Sequence, residues 1–259
     1  MRAFLFPEHA RELLWVWTAR EVKARYKQSL LGFGWAVFQP LALSAVFAIV
    51  FSYIVHVPSE GVPYPIFIYA AMLPWTFFAR ALTAALPSIV FNMNLITKIY
   101  FPREVLPIAT VATHFVDYLC GLAVLIVMLV YFQIPLTPSL MLLPVVLAIQ
   151  LLLMVGLALG AAAANTFFRD VNQLLPLLLQ IWMYACPIVY PLQLVPSWLR
   201  PWYLLNPMAG IIDAYRQVIV KGALPDWYAL GVATVVSLAV AATGYVTFKR
   251  LEDQFADVI

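Results

Sequence analysis

The chain has 259 residues, of which 64% are hydrophobic and only 10% charged, with a formal net charge of +3. So little polar surface cannot cover a soluble globule of this size, which leaves an integral membrane protein. Long unbroken apolar runs, rather than alternating ones, exclude an outer-membrane barrel and predict an all-α polytopic fold, since helices satisfy their own backbone in lipid.

Residues 7–28 predict an amphipathic helix with Pro7 near its start and Trp15, Ala19, Val22 and Tyr26 on one face. It is expected to lie on the inner membrane surface, with Glu21 and Arg25 as an i,i+4 pair. Two readings stay open for its cations Arg20, Lys23, Arg25 and Lys27: an anchor on anionic lipid, or a cuff that binds a lipid phosphate or a partner protein. Charges scattered from Glu8 to Lys27 precede any apolar core, so no signal peptide is expected.

Six spans follow, at residues 34–55, 65–86, 105–132, 140–164, 174–190 and 227–248, within a single permease domain covering 1–259. Residues 1–33 form the interfacial part and 249–259 a tail. Within the spans, Trp35, Phe38, Phe47, Phe51, Trp75, Phe78, Trp182 and Tyr184 are candidate channel aromatics. Rings lining a pore would stack on sugars without fixing one pose, whereas rings facing lipid or core would only pack. Arg80, His114 and Asp117 are ionisable residues inside spans and so candidates for function. Arg80 sits near enough to a helix end to snorkel, and His114 and Asp117 share a face as an expected structural pair. Cys120 and Cys186 read as small buried hydrophobes.

Between the second and third spans lies a charged, aromatic elbow, residues 94–107. Between the fifth and sixth, residues 191–226 predict two short helices dipping into the outer half of the bilayer and separated at Asn206-Pro207. Irregular backbone at that depth must be covered by protein or line a wet cavity, so this segment is expected to border a pathway. An aromatic belt is the competing account of Trp198, Trp202 and Tyr203. With the N-terminus inside, the inner segments collect Arg2, Arg11, Arg20, Lys23, Arg25, Lys27, Lys98, Arg103, Arg169, Lys249 and Arg250, against Arg200, Arg216 and Lys221 outside. The asymmetry predicts both termini in the cytoplasm.

No phosphate-binding GxxxxGK[ST] loop, HExxH, nucleophile elbow or metal-ligand spacing is present. The chain is therefore expected to be no enzyme, to hold no metal or cofactor, and to borrow its energy from a separate subunit through its elbow. Six helices are few for a wide path, so a symmetric dimer is the economical arrangement.

Several strings resemble one family in the same order. Residues 20–32, reading REVKARYKQSLLG and followed by Trp35 and Pro40, are similar to the amphipathic start of Wzm-like permeases, the membrane subunits of bacterial ABC exporters for O-antigen and related polysaccharides. Residues 98–107, Phe167 to Val171, Gln180-Ile181-Trp182, Pro187 to Pro191, Asn206-Pro207 and Tyr215-Arg216 continue the likeness. The resemblance implies a homodimer with two ATP-binding subunits, which would bind ATP and Mg, exporting undecaprenyl-linked polysaccharide across the bacterial inner membrane. It implies a coupling helix around Leu95, Lys98, Tyr100, Phe101, Arg103 and Glu104, with the stretch from Arg20 to Lys27 beside the ATPase and the lipid headgroups. It also implies an outer gate containing Trp198, Trp202, Asn206, Pro207, Tyr215 and Arg216. Related permeases for teichoic acid and capsule share the six-span plan, and an ABC permease for lipid or drug is a further alternative. An ion-coupled carrier using Arg80, His114 and Asp117 is the rival from another mechanistic class.

Overall fold

A computed structural model describes residues 8–27, 34–56, 58–59, 61–99 and 101–255. All regular structure among them is helical. Helix α1 (Glu8–Tyr26) precedes α2 (Gly34–Ala48), which runs on into a π-helical turn, Ile49–Ile54. Helix α3 (Tyr64–Ala85) leads to the elbow, built from the single turns α4 (Ser88–Phe91) and α5 (Met93–Ile96). Then come α6 (Val105–Tyr131), α7 (Leu143–Phe167), α8 (Val171–Tyr184), the short α9 (Arg200–Tyr203), α10 (Pro207–Ile219) and α11 (Trp227–Leu251).

Helix α3 is the axis of the bundle. Residues Ile66 to Trp75 are all buried, because α6, α2, α7, α10 and α8 pack around it. Polar groups that deep must find partners within the bundle, and they form one thread. Tyr118 of α6 donates to the Tyr215 hydroxyl of α10, Tyr215 donates to Gln150 Oε1 of α7 at 2.8 Å, and the Gln150 amide donates to the Pro74 carbonyl of α3 at 2.8 Å. Helices α7 and α11 meet through glycines. A Cβ on Gly244 would overlap the Gly156 carbonyl oxygen, so no larger residue permits this approach.

Among the described residues, four helical stretches are long and apolar enough to cross a membrane: Tyr64–Ala85, Val105–Tyr131, Pro138–Phe167 and Trp227–Gln254. The first predicted span is shorter than expected in its apolar part, Val37–Ser52. The fifth differs more. Helix α8 has 14 residues, about 21 Å at 1.5 Å per residue, and stops at Tyr184 rather than running to residue 190. Pro187 lacks an N–H and disfavours helix at Cys186, so the chain finishes this stretch as irregular buried backbone.

Candidate functional site

The elbow has two faces. Ile89, Met93 and Ile96 recur at helical spacing and are buried in a cluster with Trp17, Leu106, Ala109, Phe248 and Phe255. That cluster gathers α1, the start of α6 and the end of α11 at one end of the bundle. The opposite face carries Phe91, 82% exposed, with Asn94, Lys98 and Ile99 also exposed.

The predicted coupling residues divide between these faces. Lys98 points outward, whereas Leu95 and Phe101 are half-buried against the cluster. Glu104 is buried and accepts from Lys249 Nζ at 2.8 Å, and Lys249 also meets Glu252 at 3.0 Å. Arg103 donates to the Glu252 carbonyl. Arg103 and Glu104 therefore staple the elbow to the end of α11 and do not form an open contact patch. Tyr100 lies outside the described residues. Phe91 escaped the sequence reading because it precedes the charged elbow, where an apolar residue looks like the end of a span.

Helix α1 lies lengthwise along α6. Trp17 packs in the cluster with Leu106, Glu21 accepts from Thr113 at 3.1 Å and from Thr110, and Arg25 pairs with Asp117 at 2.9 Å. The Tyr26 hydroxyl donates to the same carboxylate. Trp15 of the predicted apolar stripe is 75% exposed, whereas Trp17, which lies outside that stripe, is buried. Polar residues on α6 choose the buried side, and they draw Glu21 and Arg25 apart to different partners. Among the remaining cations, the Arg20 guanidinium lies 4.8 Å from the centroid of the Trp17 ring, while Lys23 and Lys27 are exposed. His114 and Asp117 do not pair with each other, since His114 Nδ1 is bonded to the Thr110 carbonyl at 2.9 Å and Asp117 to Arg25. The segment from Gln28 to Phe33 lies outside the described residues.

Burial raises the Glu21 pKa above its ordinary value, and the threonine hydrogen bonds and Arg25 oppose this only in part. An acid with a raised folded pKa contributes stability that is present below the unfolded value and lost as pH rises through the folded one. Glu21→Gln removes the desolvated charge and keeps one acceptor oxygen for the nearer threonine, Thr113, at the cost of the weaker bond from Thr110. It is expected to melt at the same temperature as the parent or higher at a pH of about 7.5, and to lack the parent's gain in stability on mild acidification. Thermal unfolding in detergent at several pH values checks both.

Of the eight candidate channel aromatics, Trp35 meets Phe38 and Phe47 meets Phe51 as neighbours on one helical segment, and three meet across helices. Trp75, Phe78 and Trp182 form a cluster between α3 and α8, with Phe78 and Trp182 edge to face at 5.3 Å. Phe47 and Phe51 pack partly buried on the core, while Trp35, Phe38 and Tyr184 stand exposed on α2 and α8. Helix α8 has Leu179 as its one buried residue.

At the far end of the bundle, Asn206 caps α10 and receives the Trp182 indole N–H at 2.8 Å, and its amide donates to the Ala185 carbonyl. The break at Asn206-Pro207 falls where proline predicts it, with Pro207 in the first turn of α10. Beyond it, α10 is packed into the bundle for nearly its whole length and does not skim its surface. Tyr215 and Arg216 are buried, so they hold the outer segment in place, whereas Trp198 and Trp202 are exposed.

Comparison with known proteins gives a consistent result. The family model for ABC-2 type transporters matches residues 12–220. The O-antigen export system permease protein RfbA of Myxococcus xanthus is 31% identical over 253 residues, covering 96% of each chain. A protein of the same name from Klebsiella pneumoniae is 29% identical, over 96% of this chain and 95% of its own. The polysialic acid transport protein KpsM of Escherichia coli is 23% identical, over 90% of this chain and 91% of its own.

Proposed function

We propose, starting from the fact that the chain belongs to the ABC-2 type transporter family, that it moves lipid-linked polysaccharide of the O-antigen type outward across the bacterial inner membrane, powered by separate ATP-binding subunits. The ATP and Mg would be held by those subunits. The observation that carries this reading is the two-faced elbow: one side is locked into the bundle, and the other offers Phe91 and Lys98 with nothing of the described bundle packed over them. A cassette subunit seated there would push on α6, α11 and α1 together. Gathering of the elbow, α1 and the end of α11 at one end of the bundle supports a cytoplasmic position for all three, given their Lys and Arg content.

Exposed apolar faces support a second copy of the chain in such an exporter. Helices α2 and α8 expose Trp35, Phe38 and Val46, and Leu174, Leu177 and Ile181, respectively. A two-fold partner against these faces would put aromatic rings from both copies around one path. The nearly full-length similarity to two O-antigen permeases favours that polymer over polysialic acid, where the similarity is lower. An ion-coupled carrier using His114 and Asp117 gains no support, since each is bonded to a different neighbour.

Phe91→Asp with Lys98→Glu reverses the character of the exposed face and touches no buried contact. The double variant is expected to lose more than about ten-fold of its co-purification with the ATP-binding subunit, or roughly 1.4 kcal/mol, while retaining the parental melting temperature. Undiminished association would remove the elbow from the coupling interface. Reconstitution of the parent complex tests the substrate: ATP-dependent movement of lipid-linked glycan is expected, and transport of small drugs in its place would overturn the polymer assignment.

A further inference from the structure

Arg80 of α3 has the surroundings of a cation lacking its anion. Its Nη2 is buried without a hydrogen-bond partner, and the residue forms no hydrogen bond or ion pair with any other described residue through its side chain. The nearest acid is Asp117, with which it shares the wall of a narrow cleft, but Asp117 already binds Arg25 and Tyr26. His114 lines the same cleft with Nδ1 occupied by the Thr110 carbonyl, and Glu21 of α1 is occupied by Thr110 and Thr113 of α6. Two guanidinium groups thus face one carboxylate in a segment long and apolar enough to span a membrane. A surplus charge there is costly unless a counterion completes it.

Arg80 also lines an open cavity, a groove of about 480 Å³ between α3 and α8 with His114 of α6 in its wall. Thr83, His114 and Gln180 contribute polar groups to its wall, and Trp75 an aromatic one. A guanidinium presents a planar fork of donors suited to the oxygens of a phosphate. The side-chain amide and hydroxyl beside it can donate to the same group, and the indole suits an adjoining sugar or prenyl chain.

We propose that this cavity is a binding site for the phosphate of a membrane-borne lipid, with Arg80 as its counter-charge and Gln180 as a facing donor. The assignment rests on the polysaccharide-export reading for the source it favours, a lipid-linked glycan rather than a bulk phospholipid. In that role Arg80 would recognise the anionic junction between lipid and sugar, leaving the sugar sequence unread.

The test uses the purified permease with its ATP-binding partner in nanodiscs of phosphatidylcholine, titrated with radiolabelled undecaprenyl diphosphate and, separately, undecaprenol. The parent is expected to prefer the diphosphate by at least ten-fold. Arg80→Gln should erase that preference, Arg80→Lys should retain part of it, and Gln180→Leu, altering only an exposed side chain, should weaken diphosphate binding several-fold. Inclusion of phosphatidylglycerol identifies the source: persistence of diphosphate binding supports the lipid-linked substrate, and displacement at equal mole fraction overturns that choice of source. Parental preference in both a folded Arg80 variant and Gln180→Leu would overturn the site. If that happens while the parent complex exports glycan, the export reading survives alone. Arg80-dependent binding in a complex that exports no glycan would leave the site standing and remove the reading.

Discussion

Arg216→Ala is expected to abolish the folded permease, with little protein recovered from the membrane and a melting temperature lowered by ten degrees or more in any that is. Arg216 is 2% exposed and lies 3.7 Å from the centroid of the Phe67 ring. Its guanidinium donates to the carbonyls of Phe67, Pro187, Ile188 and Tyr190, the last at 3.0 Å. Three of these belong to the irregular backbone that follows the early end of α8, where no helix can satisfy them. Each buried acceptor left alone costs about 1–3 kcal/mol, and even two such losses reach the range that unfolds an ordinary domain. Arg216→Lys keeps the charge but not the fork or the ring stack, so an intermediate melting temperature is expected. Parental stability of the alanine variant, measured by fluorescence-detected size exclusion after heating, would show that lipid or water satisfies these carbonyls.

This role for Arg216 marks where sequence reasoning stops. Apolar run length is legible because a bilayer imposes it, so the helices at residues 64–85, 105–131 and 227–251 sit close to their expected places. The break before α10 is legible because proline constrains its neighbour. What a buried arginine does is not local information. A lone Arg in an outer segment suggests an exposed gate, and only the return of residues 187–190 against α3 and α10 turns it into the centre of a carbonyl cluster. The same holds for α1. The stripe of Trp15, Ala19, Val22 and Tyr26 marks α1 as amphipathic, but its seat on α6 depends on threonines and an aspartate about ninety residues away, which Glu21, Arg25 and Tyr26 find. At the elbow, composition locates the site, yet the division into buried and free faces depends on Phe248 and Phe255 arriving from the other end of the chain.

That arrival is the basis of the second large effect. Glu104 stands at the first turn of α6, and Lys249 at the last turn of α11 lies between Glu104 and Glu252. With the Lys249 side chain 30% exposed, solvent screens the pair, and its net contribution to stability is about 1 kcal/mol or less. Glu104→Gln and Lys249→Met should therefore fold and, because the outer face of the elbow is untouched, still bind the ATP-binding subunit. Transmission should suffer instead: displacement of the elbow would no longer carry α11 with α6, and glycan exported per ATP hydrolysed is expected to fall ten-fold or more. Glu104→Lys alone sets two ammonium groups together, and Lys249→Glu alone sets a third carboxylate beside two others. Combined, the new lysine at 104 can bridge the carboxylates at 249 and 252, so the double exchange should recover much of the ratio that either single change loses. Equal losses in the double and single variants would mean that the charges act independently. An unchanged export-to-hydrolysis ratio in Glu104→Gln would place force transmission in the apolar cluster around Ile89, Trp17 and Phe248 rather than in this ionic joint.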